Sequence, residues 1–292
     1  LGLVAGMALM SVSQAEAKGV LVHLFQWKYN DIANECENVL GPKGYQGVQI
    51  TSPAEHIQGS SWWVVYQPVN HKNFTNQAGT ETELKSMITR CKAAGVEIYA
   101  DAVFNQMANG SGTGTGGSSY NGGSFTYPYF SYDNFHHAGT VSDYTNADNV
   151  QNGALLNMPD LYTGSSYVQG QLATYLKTLL GWGVAGFRID AAKHISVSDL
   201  SGILAAAGNP TVYQEVIGAS GEAVQPSAYT GLGYVTEFNY ATDLANQFTG
   251  SIKNLSTLGE SWGLLSSSKA QVFVTNHDRE RGQGGSGTLT YY

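Results

Sequence analysis

Four acidic residues stand at or near the ends of segments that have the pattern of buried strands. They are Asp101 in "VEIYADAVFN", Asp190 in "VAGFRID", Glu215 in "TVYQEVI" and Asp278 in "QVFVTNHD". Where such strand ends converge on one mouth, facing carboxylates permit either metal binding or paired acid and nucleophile work at an acetal. No histidines stand at the spacing of a catalytic zinc site. A third interpretation, buried ion pairs that close the sheet, stays open at this level.

Arg188 stands two residues before Asp190 in the same strand-like segment. It alternates with Phe187 and Ile189, so Arg188 and Asp190 share one face of their strand. A charged pair that faces an interior must be either an ion pair or functional, because burying an unpaired charge costs several kcal/mol.

The composition favours a protein that handles neutral polyols outside the cell. Charged residues make up 12% of the 292 residues, against about 25% in an average soluble domain, whereas the chain has 18 Tyr and 5 Trp. The net charge of −8 argues against a nucleic-acid partner, whose phosphates demand a basic surface. The aromatic residues Trp62, Trp63 and Tyr66 follow the second strand and have the shape to stack on sugar rings.

The elements that must position these residues alternate along the chain. Strand-like segments are mostly separated by amphipathic helices, such as "TETELKSMITRCKAAG" with a capping box at Thr80 and Glu83. Seven strands with polar residues at their ends predict a (β/α)₈ TIM barrel whose eighth strand lies beyond this sequence. A small irregular domain is predicted after the third strand, at residues 106–159, between barrel segments 18–105 and 160–292.

Residues 1–17 combine an apolar run with Ala15-Glu16-Ala17, as secretory signal peptides do. No initiator Met or basic segment precedes the run, so we expect the sequence to begin inside the signal; a buried first helix is the alternative. The run is too short for a transmembrane helix, and no membrane partner is expected. Secretion permits disulfides, and Cys36 and Cys91 are either a pair or two buried thiols.

Seven segments, in order, resemble the alpha-amylase family, glycoside hydrolase family 13. "DAVFNQ", "GFRIDAAKH", "EVIG" and "FVTNHD" resemble its four signature segments, and "VHLFQW", "SWWVVYQP" and "NMPDLYTGSSYV" resemble its flanking segments. The likeness is closest to the chloride-activated, animal-type branch and runs from about residue 19 to the end. It implies a secreted, monomeric, calcium-dependent enzyme that cleaves internal α-1,4 bonds of starch or glycogen with retention of configuration.

The resemblance assigns roles by motif. Asp190 would be the nucleophile, Glu215 the general acid and base, and Asp278 the carboxylate that grips ring hydroxyls. Asp101 and Arg188 would support the pocket, with Arg188 favouring the ionised form of Asp190. The other substrate contacts that it implies are Trp62, Trp63, Tyr66, Gln67, Gln106, Lys193 and His277.

The same resemblance implies two bound ions and one disulfide. Calcium would bridge the barrel and the inserted domain through oxygen ligands. These would be the Asn105 side chain, the Asp160 carboxylate and the backbone carbonyls of His194 and Gln151. Chloride would bind to Arg188 and Asn276, with a third ligand beyond the end of this chain. Cys36 and Cys91 match a disulfide position of this branch.

Gln106 departs from the family pattern, which has histidine at this position. Glutamine can donate a hydrogen bond but cannot carry a positive charge, so we expect reduced activity or an altered pH profile rather than inactivity.

Two alternatives to the endo-acting hydrolase remain. One is an exo-acting α-glucosidase or transglycosylase of the same family, and the other is a catalytically dead carbohydrate-binding relative, against which the three carboxylates argue.

Overall fold

A computed structural model describes residues 19–282 of the chain. Its main sheet has seven parallel strands, which pair in the order in which they occur along the chain. They are β1 Leu21–Leu24, β2 Gly47–Ile50, β3 Glu97–Ala102, β4 Gly186–Ile189, β5 Thr211–Gln214, β6 Tyr234–Glu237 and β7 Ala270–Val272. Sequential parallel strands joined mostly by helices have the arrangement of a (β/α)₈ barrel, as the sequence predicts.

Helices connect most of these strands. They are α1 Tyr29–Glu35, α2 Glu81–Ala93, α3 Ala147–Asn152, α4 Ser166–Trp182, α5 Val197–Ala207 and α6 Phe238–Thr249. A π-helical turn, Cys36–Leu40, continues α1, and 3₁₀ turns at Trp62–Tyr66 and Ala192–His194 reach the site described below. Within residues 19–282, no helix is long and apolar enough to cross a membrane.

The hydrophobic core lies between the sheet and the helices. On β4, Phe187 and Ile189 pack into this core, whereas Arg188 between them turns to the opposite face, inside the barrel. The capping box of α2 is confirmed, because Thr80 Oγ1 accepts from Glu83 N (3.3 Å) and Glu83 Oε2 accepts from Thr80 N (2.8 Å). The two faces of β4 and the start of α2 can therefore be predicted from the local sequence.

Cys36 and Cys91 form a disulfide, as the resemblance implies. It joins the π-helical turn after α1 to α2, and its cysteines are 55 residues apart in sequence. In the chain-entropy view, closing a loop of this length stabilises the fold by about 4 kcal/mol.

The segment 106–159 has little regular structure. It contains one antiparallel hairpin, Ser111–Thr113 with Ser119–Asn121, and the short helix α3. Backbone hydrogen bonds tie its two ends together, from Met107 N to Pro159 O (2.8 Å) and from Leu161 N to Asn105 O (2.9 Å). That this segment forms a domain of its own stays a prediction, and the expected signal peptide at residues 1–17 lies outside the described residues.

Three details differ from the expected strands. The strand expected at "YVTEFNY" ends at Glu237, because α6 begins at Phe238 and the Glu237 carboxylate caps it by accepting from Asn239 N (3.0 Å). The strand expected to reach Asp278 ends at Val272, the residue paired with Glu237, because the chain beyond Glu237 is helical and offers no further strand partner. Asp278 therefore lies on an irregular segment after β7, and Glu215, expected on β5, directly follows that strand.

Candidate active site

Strand register brings the predicted charged residues together. Asp101 of β3 is the direct partner of Arg188 in β4. Asp190 and Glu215 each follow the last residue of their strand, and those last residues of β4 and β5 are paired with each other. Residues from three distant parts of the chain therefore leave the sheet side by side at one end of the barrel.

The Arg188 guanidinium contacts all three carboxylates. Its Nη1 lies 2.7 and 2.8 Å from the two oxygens of Asp101 and 2.9 Å from Oδ1 of Asp190. Its Nη2 lies 2.8 Å from Oε1 of Glu215, whose Oε2 accepts a hydrogen bond from Ala191 N at 2.9 Å. One buried cation thus neutralises only part of the charge that these carboxylates carry when ionised.

Burial controls the protonation of this cluster. It raises the pKa of Asp190 well above its usual value, with Arg188 opposing the rise and Glu215 and Asp101 adding to it. Burial also raises the pKa of Asp101, against its contacts with Arg188. Arg188 therefore acts on Asp190 in the predicted direction, but burial outweighs it. Since the groups interact strongly, a pH profile reports the cluster rather than one residue.

Asp278 approaches the cluster together with His277. Burial raises the pKa of Asp278 to about 6, and the nearby Glu215 adds to the rise. The Oδ1 of Asp278 lies 3.4 Å from Nε2 of His277, which also meets the Tyr66 hydroxyl at 2.6 Å. That hydroxyl donates its one proton to Asp101 Oδ2 (3.0 Å), so its oxygen accepts from His277. Burial lowers the pKa of His277 and keeps the ring neutral.

A cleft of about 930 Å³ opens in front of these groups. The predicted site residues on its wall are Trp62, Trp63, Tyr66, Gln67, Gln106, Asp190, Lys193, His194, Glu215, His277 and Asp278. Trp63 is 45% exposed, which leaves aromatic surface available to a sugar ring. Asp101 and Arg188 are buried behind the wall, where they hold its carboxylates in place.

Gln106 has a fixed amide orientation on this wall. Its Nε2 donates to the carbonyl of Tyr66 at 3.1 Å, and its Oε1 is buried without a partner among the described residues. The residue was expected to donate to the substrate, yet its donor group is engaged with Tyr66, and its acceptor oxygen has no partner within residues 19–282. Neighbouring Gln67 uses its own Oε1 to accept from Asn109 N at 3.0 Å.

Lys193 is engaged with protein groups at the edge of the cleft. Its Nζ donates to Ile217 O at 2.6 Å and to Glu222 Oε2 at 2.5 Å, and it lies 4.7 Å from the ring centre of Tyr144. A substrate hydroxyl that binds to Lys193 must therefore share this ammonium group with Glu222. Glu222 and Tyr144 also line the cleft, and no pattern in the sequence marks either residue.

The four residues expected to bind calcium form two pairs. Asn105 and Asp160 lie where the insert joins the barrel, on segments that are bridged to each other, and both are buried. His194 is held against α3, because its Nδ1 contacts the carbonyl of Val150 at 2.8 Å, next to Gln151. The convergence of the two pairs on one ion stays a prediction.

The first pair has the chemistry that a hard cation requires. The Oδ1 atoms of Asn105 and Asp160 are buried and have no hydrogen-bond partner among the described residues. Burial raises the pKa of Asp160 to about 6, against its 2.6 Å contact with His136. A calcium ion would satisfy both oxygens. Within residues 19–282 no cluster of three or more His, Cys, Asp or Glu could hold a metal, so such a site needs amide and carbonyl ligands.

Arg188 and Asn276 line a second cavity of about 150 Å³ inside the barrel. Both Nη atoms of Arg188 are already in contact with carboxylates, and Oδ1 of Asn276 accepts from Arg279 N at 3.0 Å. The expected chloride ligands are therefore close to one cavity, but carboxylates hold the main cationic donor. Chloride binding stays a prediction.

Several residues of the cleft were not predicted. They are Asn109, Tyr144, Leu155, Leu156, Met158, Ala191, Ile217 and Glu222. Most lie on irregular segments, where neither periodicity nor spacing marks a residue as functional. Ala191 and Leu156 also have positive φ angles, 47° and 52°, which residues with a side chain seldom adopt.

Comparison with known proteins agrees with this geometry. Residues 60–284 match the family model described as alpha amylase, catalytic domain. An alpha-amylase of Aeromonas hydrophila is 65% identical over 95% of this chain and 63% of its own length. An alpha-amylase of Tenebrio molitor is 45% identical over 95% of this chain and 62% of its own length. The chain thus spans less than two thirds of the curated relatives it matches.

A solved structure shares the fold and much of the sequence. A variant of alpha-amylase I from Eisenia fetida, determined in complex with maltohexaose, has a TM-score of 0.89 and 40% identity over 93% of this chain and 61% of that one. The family model covers most of the chain, and the fold and the clustered carboxylates agree with it. The chain therefore belongs to the alpha-amylase family, glycoside hydrolase family 13.

Proposed function

We propose that this chain carries the catalytic centre of a secreted alpha-amylase, which hydrolyses internal α-1,4-glucosidic bonds of starch or glycogen with retention of configuration. The observation that carries the proposal is the presence of Asp190, Glu215 and Asp278 on one cleft wall, with Arg188 behind it. The Eisenia fetida relative in complex with maltohexaose supports an α-glucan as the substrate.

Asp190 is the proposed nucleophile. Its carboxylate directly follows β4 and is oriented by Nη1 of Arg188. It attacks the anomeric carbon, the glycosidic bond breaks, and a covalent glycosyl-enzyme ester forms. The developing positive charge on the sugar favours the ionised carboxylate, which burial alone disfavours.

Glu215 is the proposed general acid and base. It gives a proton to the leaving glycosidic oxygen and later removes one from the water that cleaves the ester. Ala191 N and Arg188 Nη2 each hold one of its oxygens, so the carboxyl group cannot rotate freely. A protonated carboxyl oxygen is a poorer acceptor, so we expect one of these two contacts to lengthen while Glu215 carries the proton.

Asp278 and His277 are the proposed contacts to ring hydroxyls. The neutral His277 ring is held by Tyr66, and Tyr66 is held in turn by Asp101 behind the wall. These hydrogen bonds fix the His277 ring, and the Asp278 carboxylate lies beside it, 3.4 Å from Nε2. A fixed ring lets the pair distinguish a correctly placed sugar from a displaced one.

Calcium and secretion complete the proposal. Asn105 and Asp160, with the carbonyls of His194 and Gln151, would hold the ion, which would supply a rigid connection between the insert and the barrel. Secretion is supported by the small-x-small pattern at residues 15–17 and by the Cys36–Cys91 disulfide, because disulfides persist in oxidising compartments.

Soluble-starch hydrolysis by the full-length protein tests this function. Early loss of iodine colour together with a mixture of short maltodextrins supports endo-hydrolysis, and Asp190→Asn is the control in which the colour persists. Glucose as the only product would favour an exo-acting α-glucosidase. When a maltooligosaccharide is the substrate, products longer than the starting chain would favour a transglycosylase. Binding of the glucan without hydrolysis would favour the catalytically dead relative.

A further inference from the structure

Leu156 has an unusual position on the wall of the cleft. It lines the same cleft as the catalytic carboxylates, yet 76% of its surface is exposed to solvent. A single exposed leucine needs no explanation by itself. A second observation, on the backbone, separates this one from ordinary surface residues.

The Leu156 backbone adopts the left-handed conformation, with φ 52° and ψ 34°. For an L-residue this conformation brings Cβ too close to the following carbonyl oxygen, and leucine has no polar group with which to compensate. Asn157 has a similar φ of 61°, but asparagine tolerates this region far better. Leu156 thus combines an unfavourable backbone with an unfavourable exposure, and neither contributes to the stability of the fold.

Hydrogen bonds on both sides of Leu156 enforce this conformation. Ala154 N donates to Gly139 O at 2.7 Å, and Val141 N donates to Ala154 O at 3.2 Å. On the other side, Thr140 Oγ1 donates to Asn157 Oδ1 at 2.5 Å. The loop is therefore fixed by the neighbouring segment 139–141, and backbone strain that persists in this way is concentrated at functional sites.

We propose that Leu156 is a substrate-contact residue, an aliphatic platform at the rim of the cleft on which one glucose unit of a bound α-glucan packs its C–H face. The inference rests on the proposed function and names a residue that determines how a long chain is held. Leu155 and Met158 line the same cleft and extend the apolar surface. When the glucan binds, the exposed isobutyl group of Leu156 is removed from water, which favours binding. The strained backbone holds this side chain in the cleft for that contact.

The test compares Leu156→Gly and Leu156→Ala with the parent in the full-length protein. Loss of the side chain should raise KM for soluble starch about fivefold in both variants, with kcat within twofold of the parent. Leu156→Met should restore the parent KM. Melting temperature should not fall in the glycine variant, because glycine adopts positive φ without strain. Ile252→Ala is the matched control: Ile252 is 60% exposed and lies away from the cleft wall.

The other possible outcomes each overturn the proposed role of Leu156. An unchanged KM in both variants overturns the inference while leaving the proposed function intact, provided that the parent hydrolyses starch. A raised KM together with a lowered melting temperature in the glycine variant assigns Leu156 to packing and also overturns it. A parent that hydrolyses no starch refutes the proposed function, and the inference falls with it.

Discussion

The two sides of the cleft are built on different physical principles. The strand wall, formed by the ends of β3, β4 and β5, is charged, and Arg188 contacts each of its three carboxylates. The insert wall, formed by segment 105–160, has a strained backbone at Leu156, which lines the cleft. The same segment has buried Oδ1 atoms on Asn105 and Asp160 that have no hydrogen-bond partner among the described residues. The strand wall pairs its carboxylates with a cation of the protein, whereas the insert has buried oxygens without a partner among residues 19–282.

From this difference we expect the strand wall to carry out the chemical steps and the insert wall to determine how substrate is held. The register of parallel strands positions the strand wall, so its geometry is largely set before substrate arrives. The insert wall contains a strained backbone and buried oxygens without described partners, both of which cost free energy. We expect a bound ion to satisfy these oxygens and a bound glucan chain to cover Leu156. Substitutions on the strand wall should therefore affect turnover and global stability. Substitutions on the insert wall should affect ion dependence and substrate affinity.

The largest effect is expected at Glu215. Replacing it with glutamine keeps the shape but removes the proton donor, so kcat on starch should fall about 10³-fold. The matched control is Glu97→Gln, the same substitution at the exposed start of β3. Initial rates of reducing-end release measure both. More than a tenth of the parent rate in Glu215→Gln would remove Glu215 from the catalytic role.

Arg188→Gln should mainly lower stability. It leaves the buried carboxylates of Asp101 and Asp190 and the partly exposed one of Glu215 without their cation. This should reduce the free energy of unfolding by about 3 kcal/mol at neutral pH. Burial already raises the pKa values of Asp101 and Asp190 above their unfolded values, so protonation in acid favours the folded state. The loss should therefore shrink as the pH falls.

Urea unfolding at two pH values measures this effect. The control is Arg90→Gln, which breaks the exposed pair with Glu37 and should leave the unfolding curve nearly unchanged. Equal losses in the two variants would show that the strand wall does not depend on Arg188.

Calcium removal should act through the insert wall. Chelation should lower the melting temperature of the parent by about 5 °C, since a ligand that binds only the folded state stabilises it. Asp160→Asn should have a lower melting temperature with calcium present and little further response to the chelator. Asp133→Asn, an exposed carboxylate elsewhere in the insert, should respond like the parent. A chelator response that is unchanged in Asp160→Asn would exclude this residue as a ligand.

The smallest effect is expected at Gln106. Replacement by histidine restores a side chain that can carry charge, and kcat/KM on starch should rise about threefold with a shifted pH profile. Gln106→Met, which keeps the length but has no polar group, should lower kcat/KM instead. If kcat/KM is the same in the parent and in Gln106→His, the departure from the family pattern has no catalytic consequence.

Sequence alone predicted the strand wall better than the insert wall. Alternation around Arg188 and the motif order located the carboxylates, because each lies close to a regular element whose period is visible. The start of α6 was missed, since "YVTEFNY" alternates like a strand and the cap from Glu237 depends on how the chain turns. Leu156 gives no local signal, because hydrogen bonds from segment 139–141 impose its conformation.

We propose that the strand wall performs a double displacement in which Asp190 is the nucleophile. Proton NMR of the first products released from a defined maltooligosaccharide by the full-length protein tests it most directly. With retention of configuration, the α-anomer should accumulate first and then equilibrate slowly with the β-anomer. Initial accumulation of the β-anomer would mean direct attack by water, and it would contradict the nucleophilic role of Asp190.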